Sequence, residues 1–342
     1  MSDFNLDLPG DGLFVGRVWR PEKDGPALVA VRDGMLVDIT SRSAPTMRDL
    51  LELEDPVSHV RSQAGEPVAT LDEIAKSSLK AARPGARAED HLHLLAPCDL
   101  QAVKACGVTF ARSMVERVIE ERAAGNPALA RELRDRIGAA IGDKLSNIVP
   151  GSADAMAVKE ALQAEGLWSQ YLEVGVGPDA EVFSKSQPMS AVGWGSDIGL
   201  HPISTWNNPE PEIVLAVASD GRIAGATLSN DVNLRDVEGR SALLLGKAKD
   251  NNASASVGPF IRLFDETFSL DSVRRAELTL RVEGQDGFVL DGRSSMSEIS
   301  RDPADLVRQT IGDHHQYPDG VVLYLGTLFA PVEDRDAPGR GF

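Results

Sequence analysis

The sequence predicts an α+β fold, mainly β, in which a small N-terminal α+β domain precedes a larger sheet domain carrying a helical insert. Three observations support that expectation. Short apolar runs broken by Gly- and Asp-rich turns recur at both ends of the chain, from LFVGRVW and ALVAV near the start to IVLAVAS, AELTLRV and VVLYLGTLFAPV beyond residue 192. Between them Leu129, Leu133, Ile137 and Ile141 repeat every fourth position, the spacing of an amphipathic helix. The small, polar stretch ARPGARAED at 82–90 then divides a first unit, 1–85, from a second, 90–342.

From Gly12 to Thr40 the runs LFVGRVW, ALVAV and MLVDI are separated by EKDG and RDG, which is hairpin punctuation and predicts a short meander. Asp49–Leu53 and Leu71–Lys76 read as short helices. After the linker, LHLLAPCDL and AVKACGVTF read as strands, and the insert follows from Met114 to about Gln170, with Asn126 as N-cap and Pro127 as first helical residue. Two hairpins are expected downstream: IVLAVAS with IAGATLS around DGR, and AELTLRV with FVLD around EGQDG.

Composition narrows the function. A formal net charge of -17 argues against a phosphate-tracking nucleic-acid binder and against an anionic membrane surface. The N-terminus MSDFNLDLPGDG has no basic segment leading into an apolar one, and no apolar run is long enough to span a bilayer. Cys98 and Cys106 are too few for a disulfide framework and are not at metal-binding spacing, so a reducing, cytoplasmic setting is expected. No G-x-S-x-G, P-loop or G-x-G-x-x-G pattern is present, which sets aside serine hydrolases, nucleoside triphosphatases and dinucleotide enzymes.

The segment NNPEPEIVLAV carries the chemistry. In an extended chain Glu210 and Glu212 leave the same face, and two adjacent carboxylates call for a proton or a cation. Asp231 stands in LSNDVNLRD, at the end of the partner strand, where the DGR hairpin returns the chain to the level of the glutamates. Such an all-oxygen, trianionic cluster suits a hard divalent ion, with Mg²⁺ favoured over Mn²⁺ or Ca²⁺. Lys247 and Lys249 follow closely, and beside a metal in a dry pocket either one could act as a base or stabilise an enol. His91 and His93 lack a further ligand and read as packing residues, while His314 and His315 fall in a turn.

Taken together, GVTFARSMVE, PEPEIVLAV, SNDVNLRD, the lysine segment through SASVGPFI, and YLGTLFAPV resemble the fumarylacetoacetate hydrolase superfamily over residues 95–330. That resemblance implies a β-sandwich roll, usually in a homodimer, with a magnesium site on Glu210, Glu212 and Asp231 and a catalytic lysine at Lys249. It also implies a role beside the metal for Glu181 in AEVFSKSQP, as ligand or proton carrier. The superfamily's hydrolases use a His–Glu dyad to activate water. The matching positions here are Ser113 and Glu116, and a serine cannot replace the imidazole as a base near neutral pH. With GVTF-x-RS, the pattern is similar instead to the dehydratases of 2-keto-3-deoxy sugar acids, the arabinonate or xylonate type of pentose oxidation. The resemblance further implies one or two closing strands beyond the last apolar run, so the chain looks truncated at Phe342.

The expected activity is a magnesium-dependent hydro-lyase that converts a 2-keto-3-deoxy-D-pentonate into 2,5-dioxopentanoate. Lys249, Glu181 and Glu116 are the catalytic candidates. Arg112 is expected to face the substrate carboxylate, Ser113 and Thr327 to bind substrate oxygens, and Phe110 to line the pocket. Part of the helical insert is expected to cap the site. An acylpyruvate or diketo-acid hydrolase with the same ligands, and a noncatalytic sugar-acid sensor, are the alternatives.

Overall fold

The computed structural model describes residues 6–110, 148–164 and 168–329, together with Met114, Val118, Glu132, Leu133, Arg136 and Gly166. The architecture is mixed and mainly β. One 12-stranded sheet dominates: β1 (Phe14–Arg20), β2 (Gly25–Arg32), β3 (Met35–Asp38), β4 (Glu66–Thr70), β5 (His93–Leu95), β6 (Ala102–Gly107), β7 (Glu181–Ser186), β8 (Pro211–Val217), β9 (Ile223–Asp231), β10 (Ala255–Val257), β11 (Ile261–Leu263) and β14 (Val321–Tyr324). Its order is β4-β3-β2-β1-β11-β9-β8-β14-β6-β7, with β10 on β9 and β5 on β1. All the pairings are antiparallel except β14 with β6. The second expected hairpin forms a separate ribbon of β12 (Glu277–Glu283) and β13 (Val289–Ser295).

The N-terminal meander forms as its turn punctuation predicts, but it is not a separate sheet. β1 pairs with β11 through Phe14↔Arg262 and Val15↔Ile261, so the first strands join the same hydrogen-bonded ladder as the later ones. Alternation along β1 sends Val15 into one apolar cluster and Phe14 and Val18 into another, one on each face of the sheet. Helices Met47–Glu52 and Pro56–Ser62 supply the first cluster, and helix Leu71–Ala81 the second. That last helix runs one and a half turns past the expected Lys76, and its start is fixed by a capping box between Thr70 and Glu73. The expected linker stretch contains a short 3-10 turn, Ala88–Asp90, and no strand.

β8 is buried along its whole length, which explains why IVLAV reads as a continuous apolar run rather than an alternating one. From the insert, helices Ala153–Ala164 and Gln170–Val176 are described, and Leu162, Leu172 and Val176 pack with Met114, Val118, Leu133 and Ile148. Asn126, Pro127, Leu129, Ile137 and Ile141 lie outside the described residues. The buried Arg301 ties the insert to the sheet domain, donating to the carbonyls of Val174 (2.7 Å), Gly177 (2.7 Å) and Asp179 (3.0 Å), just ahead of β7. Among the described residues, no helix is long and apolar enough to cross a membrane.

Candidate metal centre and its cavity

The β8–β9 hairpin assembles the acidic cluster. Asp231 N donates to Glu210 O at 2.9 Å, and Glu212 pairs with Ser229, so the end of β9 lies level with the start of β8, as hairpin arithmetic requires. Glu210, Glu212 and Asp231 are each buried, and one oxygen from each lies within 4.8 Å of the others. Two oxygens on a single hard cation are separated by at most twice the metal–oxygen bond length, roughly 4–5 Å, so the spacing fits one ion.

Each carboxylate is oriented by a neighbour. Gly326 N donates to Glu212 Oε2 at 2.7 Å. Gly326 has φ +90° and a Cβ there would meet Thr109 Oγ1 at 2.1 Å, so this turn has room only for glycine. Glu210 accepts from Lys249 Nζ at one oxygen and from Asn233 Nδ2 (3.2 Å) at the other. Asp231 Oδ2 accepts from Lys249 Nζ at 3.0 Å. Its Oδ1 is paired with Lys185 Nζ at 3.0 Å. Three buried carboxylates against two lysines leave an excess of negative charge, and the all-oxygen donor set is the kind hard dications prefer.

The electrostatics lead to the same conclusion. Burial pushes the Glu212 carboxyl well above the usual carboxylate range, and Asp231 and Glu210 add repulsion that Lys249 only partly offsets. Burial by itself would lower the Lys249 ammonium, but Asp231, Glu210 and Glu238 outweigh it and hold that group above its ordinary value. Lys185 goes the other way. Its burial and the Lys249 charge prevail over Asp231, because its remaining acceptors are neutral: the carbonyls of Val232 (3.0 Å) and Lys249, and Ser254 Oγ (3.2 Å).

The cluster opens into a cavity of about 570 Å³. Glu181 and Phe183 of β7 line it, as do Thr327, Arg235, Asn208, Asn233 and Glu238. Met114 and Tyr171 from the insert region also form part of the wall. Gly107 pairs with Glu181 across β6 and β7, and a Cβ at Gly107 would meet Glu181 Oε2 at 2.1 Å, so the glycine leaves the space in which that carboxylate sits.

Of the sequence-predicted site residues, Glu210, Glu212, Asp231 and Lys249 come together, and Glu181 and Thr327 face the same cavity. Lys247 is exposed on the helix Leu245–Lys249, two positions from the buried Lys249, and this separates the two lysine candidates. Phe110, expected on the pocket wall, is instead completely buried in the core with Leu323, Leu325 and Met296. Its large apolar ring is accommodated under the sheet and is not part of the cavity wall. Arg112, Ser113 and Glu116 lie outside the described residues. Lys185 and the Asn208–Asn233 pair did not stand out in the sequence. For Lys185 a signal existed: residues 181, 183 and 185 share one face of a strand, so Glu181 and Lys185 point the same way.

No family model matches this chain. It is 31% identical over 158 residues to the 2-dehydro-3-deoxy-D-arabinonate dehydratase of Saccharolobus solfataricus, a match covering 45% of this chain and 51% of that protein. It is 30% identical over 166 residues to a Haloferax volcanii protein described as a probable 2-keto-3-deoxyxylonate dehydratase, covering 48% of this chain and 56% of that protein. The chain therefore spans about half the length of the curated relatives it matches. Among solved structures, a 2-keto-3-deoxy-D-arabinonate dehydratase complexed with magnesium and 2,5-dioxopentanoate superposes with a TM-score of 0.63 at 20% identity, covering 93% of this chain and 89% of that one. The chain shares that fold. The relatives carry the names of the same dehydratases that the motifs resemble.

Proposed function

We propose that this chain is a metal-dependent hydro-lyase that removes water from a 2-keto-3-deoxy-D-pentonate, of arabinonate or xylonate type, to give 2,5-dioxopentanoate. The observation that carries the reading is the buried convergence of Glu210, Glu212 and Asp231 beside Lys249 at the base of a cavity of substrate size. The names of the curated relatives support the substrate class, and the magnesium in the related structure supports the ion.

Glu210, Glu212 and Asp231 would hold the ion. When bound, a dication there supplies Lewis-acid polarisation of a 2-oxo carboxylate, which makes the C3 hydrogens acidic. This chain's own groups account for the proton movements. Glu181, seated against Gly107 on the cavity wall, takes the C3 proton in this reading, which its position in the cavity supports. Lys249, an ammonium between Glu210 and Asp231, stabilises the negative charge that develops at the 2-oxo end, and the C4 hydroxyl leaves with acid assistance from the protonated Glu181. Loss of one C3 hydrogen and the C4 hydroxyl releases one water and leaves a C3=C4 double bond; transfer of one C5 hydrogen to C3 gives a C4=C5 enol, whose hydroxyl proton moves to C4 to complete 2,5-dioxopentanoate with no net change in oxidation state. Thr327 and Arg235, both on the cavity wall, bind substrate oxygens in this reading, with Arg112 and Ser113 proposed for the carboxylate and Glu116 as a further acid–base group. The same reading carries a roll-type sandwich, the 1–85 and 90–342 division, a homodimer and a cytoplasmic setting, the last consistent with the free, buried Cys98 and Cys106.

The test is to incubate the protein with Mg²⁺ and 2-keto-3-deoxy-D-pentonate and identify products by mass spectrometry. One product lighter by one water is expected, with the rate down by at least about 100-fold in Lys249→Ala. Two shorter acids would instead assign carbon–carbon hydrolysis, and undiminished turnover in Lys249→Ala and Glu212→Gln alike would overturn the mechanism.

A further inference from the structure

The hairpin that builds the metal cluster runs on past the ends of its two strands. Glu212 pairs with Ser229 and Asn208 with Asn233 in one register, so the cavity-lining residues Glu210, Glu212, Asn208, Asp231 and Asn233 share a face. Two residues further out, the same register matches Trp206 with Arg235. The backbone ladder ends there: Asp236 N, one residue beyond Arg235, donates to Trp206 O at 3.2 Å. The Asp236 carboxylate closes the end by accepting from Ser204 Oγ at 2.7 Å and from Thr205 N at 2.9 Å. The chain on either side of the tryptophan is thereby tied to the turn that carries Arg235.

The side chains of this last pair are stacked. The Arg235 guanidinium carbon lies 4.6 Å from the centroid of the Trp206 ring, within cation–π distance. Arg235 lines the cavity and Trp206 does not, so the indole can influence a ligand only through the arginine. Trp206 Nε1 is buried and meets no acceptor among the described residues, so the tryptophan contributes the face of its ring and not its N–H. A guanidinium carries its N–H donors in its own plane, and a ring against its face uses none of them.

We infer that Trp206 is a positioning residue, whose indole holds the Arg235 guanidinium at the cavity wall in the orientation that meets substrate oxygens. The inference rests on the reading of Arg235 as a substrate-binding group and deepens it by naming what sets its geometry. A long side chain that is ordered only when the ligand arrives costs affinity, and stacking orders this one beforehand. A partly desolvated cation–π contact is strong enough for that to amount to about 10-fold in affinity.

The test measures kcat and KM for 2-keto-3-deoxy-D-pentonate with the magnesium-loaded full chain, and magnesium affinity by calorimetry as the control for structure. Trp206→Leu is expected to raise KM about 10-fold while kcat and magnesium affinity stay within about 3-fold. Trp206→Phe keeps an aromatic face and loses only an unpaired N–H, and is expected to recover most of the loss. In an Arg235→Met background Trp206→Leu is expected to lower kcat/KM by less than about 2-fold more, because the group it positions is gone. Ring-fluorinated tryptophans placed at 206 alone keep the shape and weaken the π face, and KM is expected to rise with the number of fluorines. That series serves if the leucine variant does not fold. A Trp206→Leu effect undiminished in the Arg235→Met background, an unchanged KM across the fluorinated series, or a loss of magnesium affinity as large as the rise in KM overturns the positioning role alone. A wild type with no magnesium-dependent turnover overturns it together with the functional reading.

Discussion

At the N-terminal end of the sheet, Arg20 and Lys23 meet Glu22, Asp38 and Glu66; at its centre, Lys185 and Lys249 meet Glu210, Glu212 and Asp231. The inventories are identical, three carboxylates and two cations, yet the two clusters behave in opposite ways. In the first, the side chains of Glu22, Lys23 and Glu66 are 57%, 47% and 61% exposed, and water solvates the excess negative charge. All three of its carboxyls are held below their ordinary range, Asp38 against the opposing effect of its own burial. In the second, the side chains of Lys185, Lys249, Glu210 and Asp231 are at most 6% exposed and Glu212 is buried as well, and Glu212 is driven up. Burial therefore decides whether an unbalanced charge cluster is a strand clamp or a site that needs a cation, and a titratable group perturbed by burial inside a cavity marks the functional one.

The largest effects are expected where burial is complete. Glu212→Gln removes a ligand and is expected to weaken magnesium binding by more than about 100-fold, as measured by calorimetry. The same substitution should stabilise the metal-free protein at neutral pH. A carboxyl whose folded value is raised contributes stability that is present below its ordinary value of 4.5 and is lost as pH rises through the folded value. The metal-free wild type is therefore expected to lose stability as pH climbs from 4.5, and the glutamine variant is expected to lose less. A wild-type stability curve that rises over that interval with no contrast between the two proteins would refute the account of Glu212.

Lys185→Met comes next. It strips a buried cation from Asp231 and leaves the carbonyl of Val232 without its donor, while the Lys249 carbonyl keeps Ser254 Oγ at 2.8 Å, at an expected cost of about 3 kcal/mol in denaturant unfolding and about 10-fold in magnesium affinity. Affinity unchanged in a folded variant would reduce Lys185 to a packing role.

In the N-terminal cluster, Asp38→Asn is expected to cost about 2 kcal/mol, because Arg20 keeps Glu66 and Glu22, and to leave magnesium affinity untouched. Its pH dependence has the opposite sign to that of Glu212: stability from Asp38 is present above 3.8 and is lost as pH falls through its depressed folded value. Glu66→Gln, on the solvent side of the same cluster, is expected to give the smallest change of the series. A Glu66 effect equal to that of Asp38 would show that exposure is not what separates the members.

The same contrast explains how much could be read from the sequence. The metal triad was legible because it needs only the two-residue period of a strand and the return of a hairpin, both local properties of 207–231. Lys249 was legible as one of two lysines, and the choice required knowing which side of a short helix is buried. Lys185 was overlooked because sharing a strand face with Glu181 does not say what the lysine meets, and its acceptors come from residues 47 to 69 positions away. The joining of the N-terminal strands to the main sheet depends on β1 meeting β11 across the length of the chain, which no local period encodes. Phe110 was misread because an aromatic at the end of a strand has the same sequence appearance whether it faces a cavity or the core.

The central claim is that one hard dication sits among Glu210, Glu212 and Asp231. An anomalous difference map from crystals of the chelator-stripped protein soaked in manganese tests it most directly. The account predicts a single strong peak within about 2–2.6 Å of an oxygen from each of the three residues. A peak elsewhere, or none at this cluster in crystals whose carboxylates keep these positions, would contradict it.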